Sequence, residues 1–515
     1  MAKHSFMQGA FILFLSGIFV KVIGFIFQIT VIRIIGTEAV GLFNMVFPLY
    51  ITVLVISTAG LPLAISKMVS QQVALGNYQG AFKIFRIALS VLIFLSFFFT
   101  IILFLISPLL INTLYQDHRV IWCFYTMIPG IIIVSICSAF RGFFQGLQEM
   151  IPPALTQCIE QIIRISLALF LITELQPYGI KMIAVGLSIS MISGELVGLI
   201  IIYLIYRFKQ KQIQHRATWM PSALNIPTRK VIAELFAFGF PTTLTRLISS
   251  LVLTFEASLI PLTLQKSGYT INQAASIYGQ FSGVSISLLT IPTVLTFSLA
   301  ISLVPAISEA EAQGKFAALQ FRSTEALRLT YLFGLPVMII LILKATSLCT
   351  LLFNLPEAGT TVRYLAWGAL FLYLAQTSNG ILQGLGLVRK IFINTVFGSI
   401  IKVVGIIYLV AIPELNINGA AVAFVFSFFV VCILNLIVIF NTTGFHLNVK
   451  QIILPLMASL FMGVFIILET NYLTKYFIES SVTIISIITG GLFYFLLINF
   501  WGQINLKYMF TKAKK

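Results

Sequence analysis

Apolar segments long enough to cross a lipid bilayer follow one another along the whole chain. A spanning helix needs about 20 predominantly apolar residues, and fourteen such segments can be placed in the 515 residues. Charged residues make up only 9% of the chain, whereas soluble domains carry about 25%. We therefore predict an all-α integral membrane protein with about 14 transmembrane helices. A soluble enzyme, a disordered chain and a secreted disulfide scaffold are excluded.

Basic residues are distributed unevenly between the loops. If the spans alternate from a cytoplasmic N-terminus, 21 of the 32 lysines and arginines lie in cytoplasmic segments, six in outer loops and five within spans. Cytoplasmic loops carry such an excess in membrane proteins. We therefore predict a multi-pass protein of the cell membrane with both termini in the cytoplasm. Because the net charge of +17 is spread over short loops, we expect no nucleic-acid partner.

A short motif occurs twice, six spans apart. The run Gly142-Phe-Phe-Gln-Gly-Leu147 recurs as Gly380-Ile-Leu-Gln-Gly-Leu385, and at the same distance after the motif each copy has a basic residue, Arg164 or Lys402. Because six is an even number of crossings, the two copies have the same orientation in the membrane. The sequence therefore predicts parallel repeats, as in some transporters.

A second, weaker repeat pairs the tripeptide at 64–66 with the one at 306–308. From both pairs we predict two six-helix lobes and two additional C-terminal helices. The segments are an N-terminal lobe at 1–206, a basic cytoplasmic connector at 207–231, a C-terminal lobe at 232–441, and two extra spans with a basic tail at 442–515. Prolines lie within five spans, where we expect either static kinks or hinges: Pro48, Pro129, Pro241, Pro292 and Pro336.

Five basic side chains lie at the depth of the predicted membrane: Lys21, Arg164, Arg246, Lys344 and Lys402. Each costs about 2.5–3.5 kcal/mol at a helix centre, so such residues normally face a wet cavity or a partner. Lys21 and Arg246 have no acid one turn away on their own helices, and we expect them to face a cavity. For Lys344 we expect the ammonium group to reach a membrane surface.

Polar residues accompany these charges at helical spacing. Lys21 and Gln28 are two turns apart and share one face of the first span. Glu160 and Arg164 have the spacing of an ion pair on one helix, so they form either a neutral pair in a helix interface or part of a binding site. Three roles stay open for Glu256: pairing with a base, binding a cation or carrying a proton. The candidate substrate-binding set is Lys21, Gln28, Gln145, Glu160, Arg164, Arg246, Glu256, Asn379, Gln383 and Lys402.

Several stretches, taken in their order and spacing, resemble the multidrug/oligosaccharidyl-lipid/polysaccharide exporter superfamily. They include Lys21-Val-Ile-Gly-Phe25, Arg141-Gly-Phe-Phe-Gln-Gly146 and Leu303-Val-Pro-Ala-Ile-Ser-Glu309. Within the superfamily the chain is similar to the polysaccharide-biosynthesis flippases, a branch related to MurJ-type lipid II flippases. The resemblance covers nearly the whole chain.

This resemblance implies an alternating-access flippase that carries an undecaprenyl-pyrophosphate-linked saccharide from the inner to the outer leaflet, with a sporulation role. Lys21 and Arg246 would bind the pyrophosphate, Asn379 and Gln383 would meet the sugars, and spans 13 and 14 would hold the lipid tail. Membrane lipids and cell-wall synthases are the other implied partners. The chain departs from the family at Lys21, where arginine is usual, and at Phe27 and Gln280–Phe281, where the MurJ type has arginines.

Two other functions stay open at this point. A cation-coupled drug or small-molecule exporter of the same superfamily predicts a cavity dominated by carboxylates. A non-transporting membrane scaffold for cell-wall synthesis predicts tolerance to loss of the intramembrane charges. The chain has no G-x-x-x-x-G-K-[ST] motif, so it carries no P-loop of its own. We expect a transporter rather than an enzyme, with no cofactor and no metal site.

Overall fold

The computed structural model describes residues 6–218, 227–446 and 448–502, with side chains from residue 11 onward except at 211–218, 241, 242 and 245. Within these ranges the chain is helical, with one 3-10 turn at Gln176–Tyr178 and one π-helical turn at Phe281–Ser285. The helices are α1 Phe6–Ile35, α2 Glu38–Thr58, α3 Leu61–Ala74, α4 Tyr78–Leu114, α5 Val120–Met127, α6 Gly130–Gly146, α7 Ile151–Leu175, α8 Ile180–Thr218, α9 Thr228–Lys266, α10 Ile271–Gln280, α11 Ile286–Thr290, α12 Thr293–Ala312, α13 Phe316–Phe353, α14 Ala358–Ala366, α15 Ala369–Gly384, α16 Val388–Leu409, α17 Ile417–Thr443, α18 Val449–Leu473 and α19 Glu479–Phe500.

The prediction of an all-α membrane protein is confirmed. In the described ranges, thirteen helical stretches are long and apolar enough to cross a membrane. The remaining predicted span, at 364–385, corresponds to α14 and α15, which have 9 and 16 residues and are separated at Trp367 and Gly368. A crossing helix needs about 20 residues, so the span is visible only when the two halves are taken together.

The same break occurs in the first half of the chain. There α5 ends at Met127 and α6 begins at Gly130, with Pro129 between them. Gly130 and Gly368 have the same separation in sequence as the two copies of the glycine motif, and each lies at the break of its span. The repeat seen in the sequence therefore extends to the irregularities of the helices.

Helix contacts repeat with the same separation. In the first unit the glycines of the motif pack on α3, and in the second unit the equivalent glycines pack on α12. The contacts are Gly142 on Pro62, Gly146 on Val69, Gly380 on Ala300 and Gly384 on Ile307. A Cβ on Gly146 or Gly384 would lie 2.7 Å from the Cβ of its neighbour, so only glycine permits this approach. The two residues of each contact in the first unit recur in the second unit at the same separation in sequence as the glycine motif. The tripeptides at 64–66 and 306–308 are separated by about one helical turn more than this.

The helices form two compact units, one up to Gly279 and one from Gln280. The first includes α9 and most of α10, which pack on α2 and the loop before it. Thr52 and Thr254 share a hydrogen bond of 2.9 Å, and so do Thr37 and Ser276. The assignment of 232–441 to a second lobe stays a prediction.

One group of charges joins two loops at the same end of the first unit. Arg119, before α5, donates to Asp117 at 2.7 Å and to Glu38, at the start of α2, at 2.7 Å. The hydrogen bond to Asp117 raises the pKa of the Arg119 guanidinium, and Glu38 adds to this effect while partial burial opposes it. The loop between α1 and α2 is thereby held to the loop between α4 and α5.

Candidate functional site

A cavity of about 240 Å³ lies within the first unit, between α1, α2, α7 and α8. Its polar wall is formed mainly by three amides and one arginine: Gln28, Asn44, Gln161 and Arg164. Its apolar wall includes three aromatic rings: Phe27, Phe43 and Phe47. Two residues of the predicted set, Gln28 and Arg164, are therefore brought together from helices that are far apart in sequence.

Local packing explains how the cavity forms. Gly24 lies one turn before Gln28 on α1, and a Cβ there would approach the Gln161 side-chain nitrogen to 3.2 Å. The glycine thus lets α1 pack closely beside α7. On α2, Phe43 and Phe47 are one turn apart and their rings stack with centroids 5.6 Å apart. This spacing places both rings on the same side of α2.

Arg164 pairs with an acid on a different helix. Its Nη2 donates to Oε1 of Glu195 on α8 at 3.0 Å, with side-chain exposures of 30% and 14%. Arg164 does not form the predicted ion pair with Glu160, which lies one turn away on α7. Glu160 is 5% exposed and instead accepts a hydrogen bond from Arg141 on α6. The intrahelical ion pair expected from the spacing of Glu160 and Arg164 is thus replaced by two interhelical pairs, and a part in a binding site stays a prediction.

Arg141, Glu160, Arg164 and Glu195 together form what we call the charge cluster. Electrostatic interactions link its members beyond the two pairs, because Glu195 acts on both Arg141 and Glu160, and Arg164 also acts on Glu160. The cluster has two positive and two negative groups and is neutral overall. A neutral, paired arrangement is the form in which charges are tolerated inside a protein at membrane depth.

Two glycines of α8 hold the cluster together. Gly194 and Gly198 are one turn apart and both face α7. A Cβ on Gly194 would lie 2.8 Å from the Glu160 carbonyl oxygen and 3.2 Å from the Arg164 Cβ, and one on Gly198 would overlap the Glu160 carboxyl group. Small residues at this spacing allow the backbones of membrane helices to approach closely. The approach of α8 is what buries Glu160.

Polar atoms in and beside the charge cluster retain hydrogen-bonding capacity. Within the part of the chain that the structure describes, four buried atoms of this region have no hydrogen-bond partner: Arg141 Nε, Arg164 Nε, Glu195 Oε2 and the Tyr50 hydroxyl oxygen. Tyr50, on α2, is fully buried and interacts electrostatically with both Glu195 and Arg164. The cluster therefore extends to a phenol that the sequence offered no reason to include.

The other predicted residues of the first unit lie elsewhere. Lys21 is exposed on α1, two turns before Gln28, and Arg246 is exposed on α9. Neither lines the cavity. Gln145 is the last residue but one of α6, and Glu256 is buried within α9.

In the second unit, the predicted residues do not form a counterpart of the site around Arg164. Asn379 on α15 accepts from Asn435 Nδ2 at 2.9 Å, and Asn435 accepts from Asn394 Nδ2 at 2.8 Å. Lys402, the repeat counterpart of Arg164, lies with its Nζ 4.6 Å from the centroid of the Phe424 ring. Gln383 is exposed at the end of α15.

The expectation for Lys344 is wrong. Its side chain is 4% exposed, and its Nζ donates to Thr470 on α18 at 2.5 Å. Glu469 and Glu479 also interact with it electrostatically. Lys344 itself has non-helical dihedral angles within α13. The packing of α18 and α19 on α13 provides the partners that the sequence of α13 alone does not show.

Three features of the site are not predicted by the sequence pattern. The loop count places Arg141 among the cytoplasmic residues, although it lies inside α6 and its pairing is internal. The signal available was the apolar sequence on both sides of it, from Phe140 to Phe144. Asn44 carries the same signal as Gln28, an amide in an apolar segment, but it is not among the predicted residues. The phenylalanines of the aromatic wall gave no signal, because phenylalanine is ordinary in an apolar span.

Comparisons with known proteins agree with this fold. The polysaccharide biosynthesis protein family model matches residues 6–311, and the MatE model matches 282–408. The chain belongs to the polysaccharide biosynthesis protein family. It is 32% identical over 452 residues to Stage V sporulation protein B of Bacillus subtilis strain 168, covering 88% of this chain and 86% of that protein. It is 25% identical over 485 residues to Lipid II flippase MurJ of the same strain, covering 89% and 87%.

Solved structures have the same fold. An inward-facing multidrug resistance MATE family transporter of the MOP superfamily aligns with a TM-score of 0.67 at 15% identity, covering 82% of this chain and 94% of that one. The inward closed conformation of lipid II flippase MurJ aligns with a TM-score of 0.65 at 17% identity, covering 95% and 99%. The predicted superfamily and branch are therefore confirmed. The chain is a multi-pass membrane protein of the flippase and exporter superfamily.

Proposed function

We propose that the protein is an alternating-access flippase that moves an undecaprenyl-pyrophosphate-linked saccharide from the inner to the outer leaflet. The specific candidate is a lipid II-type peptidoglycan precursor for the spore cortex. The observation that carries the proposal is the cavity of the first unit, where Arg164 and three amides face three aromatic rings at membrane depth. In the proposed orientation both termini lie in the cytoplasm.

The chemistry of the cavity suits a phosphorylated sugar. A guanidinium presents a planar set of donors that matches phosphate oxygens, and it stays charged in an apolar environment. The amides of Gln28, Asn44 and Gln161 can both donate to and accept from sugar hydroxyl groups. The rings provide apolar surface, as in most small-molecule pockets.

The size of the cavity limits what it can hold. Pockets for whole drug-sized ligands measure about 300–1,000 Å³, and this cavity measures about 240 Å³. It therefore fits the pyrophosphate and the adjoining part of a sugar, with the rest of the headgroup outside. Lys21 lies on α1 two turns from Gln28, and we assign it the first contact with the incoming anion.

The relatives support the class of substrate. Lipid II flippase MurJ is similar over 89% of this chain, and its name states the cargo of that protein. Stage V sporulation protein B is similar over 88% of the chain, which supports the sporulation context. Because the sequence has no P-loop, the proposed energy source is the membrane potential, an ion gradient or downstream consumption of the product. One elementary charge moved across 100 mV corresponds to about 2.3 kcal/mol.

Reconstitution in liposomes tests this function. Fluorescent lipid II would be placed in the membrane and its outward movement followed with and without a membrane potential. We expect transport by the wild-type protein and a loss of about 10- to 150-fold with Arg164→Gln, because a hydrogen bond to a charged group is worth about 1.5–3 kcal/mol. Arg207→Gln, an exposed arginine of α8 outside the cavity, is the matched control and should keep wild-type transport.

Two results would contradict the proposal. Transport that survives Arg164→Gln unchanged would separate the cavity from the substrate path. Absence of lipid II movement by folded protein, together with uptake of a cationic dye, would favour the drug-exporter alternative.

A further inference from the structure

We propose that binding of an anionic headgroup at Arg164 is coupled to uptake of a proton by the charge cluster, with Glu195 as the acceptor. The inference rests on the proposed function, because it assigns a pyrophosphate to the cavity. It adds a chemical step that the proposed function does not contain. The proton compensates charge, so that the occupied site carries one negative charge fewer when it is closed within the membrane.

The position of Arg164 makes the coupling possible. The same guanidinium lines the cavity and pairs with Glu195 through Nη2 at 3.0 Å. A doubly charged pyrophosphate diester in the cavity competes for this donor, because it offers more negative charge and more acceptor oxygens than one carboxylate. Turning Nη2 toward the ligand takes from Glu195 its ion-pair partner.

The surroundings of Glu195 determine how it responds to this loss. Its side chain is 14% exposed, and a carboxylate that loses its partner inside a protein is far more costly than a neutral carboxylic acid. The titratable groups that face it are Tyr50 on α2, Cys137 and Arg141 on α6, and Glu160 and Arg164 on α7. The one other base in this set, Arg141, already pairs with Glu160. Glu195 therefore becomes neutral by taking up a proton.

The two acids of the charge cluster are not equivalent in this respect. Glu160 has Arg141 as its partner and also receives a contact from the Cys137 thiol at 3.8 Å. Glu195 has its ion pair with Arg164, and its Oε2 has no hydrogen-bond partner among the described residues. The nearby Tyr50 hydroxyl also has spare hydrogen-bonding capacity. Oε2 is thus the atom that receives the proton: one O–H bond forms, and the carboxylate loses its charge.

The coupling has a definite sign. Proton binding to Glu195 releases Arg164 for the ligand, and ligand binding releases Glu195 for the proton, so each binds more tightly in the presence of the other. The affinity for the ligand should therefore rise as the pH falls. For one coupled proton the limit is about a tenfold change in Kd per pH unit.

Proton uptake can be measured directly. Full-length protein in nanodiscs, in weakly buffered solution with a pH indicator, would be mixed with lipid II, and Kd would be measured across the neutral pH range. We expect uptake of up to one proton per bound lipid II and a Kd that decreases toward low pH. In Glu195→Gln, lipid II should still bind, without proton uptake and with a Kd that is nearly independent of pH. Subtracting the proton uptake of Glu195→Gln from that of the wild type cancels any proton that the ligand itself exchanges with the solution.

A matched variant controls for acids in general. Glu149 also forms an ion pair in the first unit, with Lys209, but away from the cavity. Glu149→Gln should take up the same number of protons as the wild type. Infrared difference spectra of the wild-type protein give a readout that needs no variant, since ligand binding should produce the C=O band of a protonated carboxylic acid.

The outcomes distinguish this inference from the proposed function. Lipid II that binds with no proton uptake and no carboxylic-acid band overturns the coupling and leaves the flippase intact. Equal uptake by the wild type and Glu195→Gln overturns it as well. If lipid II does not bind, inorganic pyrophosphate serves as the second probe. Proton uptake with pyrophosphate that is lost in Glu195→Gln supports the coupling while refuting the lipid substrate, and its absence refutes both.

Discussion

Single residues show how this protein tolerates charge at membrane depth. Arg141 and Glu160 are the most enclosed pair of the charge cluster, and Glu160 is only 5% exposed. Removing one member of such a pair leaves the other charge uncompensated, which typically destabilises a protein by about 3–5 kcal/mol. We therefore expect Glu160→Gln to lower the Tm of the purified protein strongly in a thermal unfolding assay. The double variant Arg141→Met/Glu160→Met should recover most of the loss, because no charge then remains unpaired.

The control for this prediction is a pair near the surface. Lys209 and Glu149 are both partly exposed, and pairs of this kind contribute about 0–1 kcal/mol. Glu149→Gln should hardly change the Tm. Equal destabilisation by the single and double variants at positions 141 and 160 would show that packing, rather than charge compensation, dominates there.

The same residues show where prediction from the sequence reaches its limit. Arg164 and Gln28 could be selected because a charge or an amide in an apolar segment needs a reason to be there. The partners of Arg164 and Glu160 could not be selected, because Glu195 and Arg141 come from other helices, and the rotation of each helix decides which side chains meet. The prediction for Lys344 is wrong for this reason, because its partner Thr470 lies 126 residues away on α18.

At the scale of helices, close approach is set by glycines. Gly194 lets α8 reach α7, and an added methyl group would lie 2.8 Å from a backbone oxygen that cannot move aside independently. Overpacking of this kind typically destabilises by about 1–3 kcal/mol. We expect Gly194→Ala to lower the Tm and to weaken lipid II transport, because the shift of α7 would displace Arg164 from the wall of the cavity.

Gly491 on α19 provides the comparison. A Cβ there meets nothing within 4 Å, and alanine is favoured over glycine in a helix by about 0.5–1 kcal/mol. Gly491→Ala should therefore leave the Tm unchanged or raise it slightly. A Gly194→Ala protein as stable as Gly491→Ala would mean that the contact between α7 and α8 is looser than its geometry indicates.

Helix breaks were predicted only in part. Pro129 and Pro292 lie at breaks, after α5 and after α11. Pro48 and Pro336 lie inside α2 and α13, and the irregularity of α13 is at Lys344 rather than at the proline. A proline removes one backbone hydrogen bond, and the surrounding contacts decide whether the helix continues. The break at Trp367–Gly368 has no proline, so the sequence of this span does not indicate it. The only sequence signal is the proline at the equivalent break, Pro129–Gly130, of the first repeat.

For the whole molecule, the number of crossings follows from composition, but the orientation depends on counting every span. Thirteen crossing stretches are evident in the described ranges, and with that number the two ends of the chain would lie on opposite sides of the membrane. The excess of basic residues in alternate loops predicts an even number, which α14 and α15 together would complete. The predicted topology of both termini therefore depends on this one interrupted span.

Cysteine labelling at the two ends of that span tests the topology. Glu357 precedes α14 and Arg389 follows α15 by a few residues, and both are exposed. We expect a membrane-impermeant maleimide to label Glu357→Cys in intact cells and Arg389→Cys only after permeabilisation. Four of the five native cysteines are buried, so the unmodified chain should give a weak background. Labelling of both positions from outside would mean that α14 and α15 enter and leave on the same side. The repeat argues against that result, because α5 and α6 have the same break at the equivalent position of the first repeat, in a stretch of 27 residues that is long enough to cross as a unit.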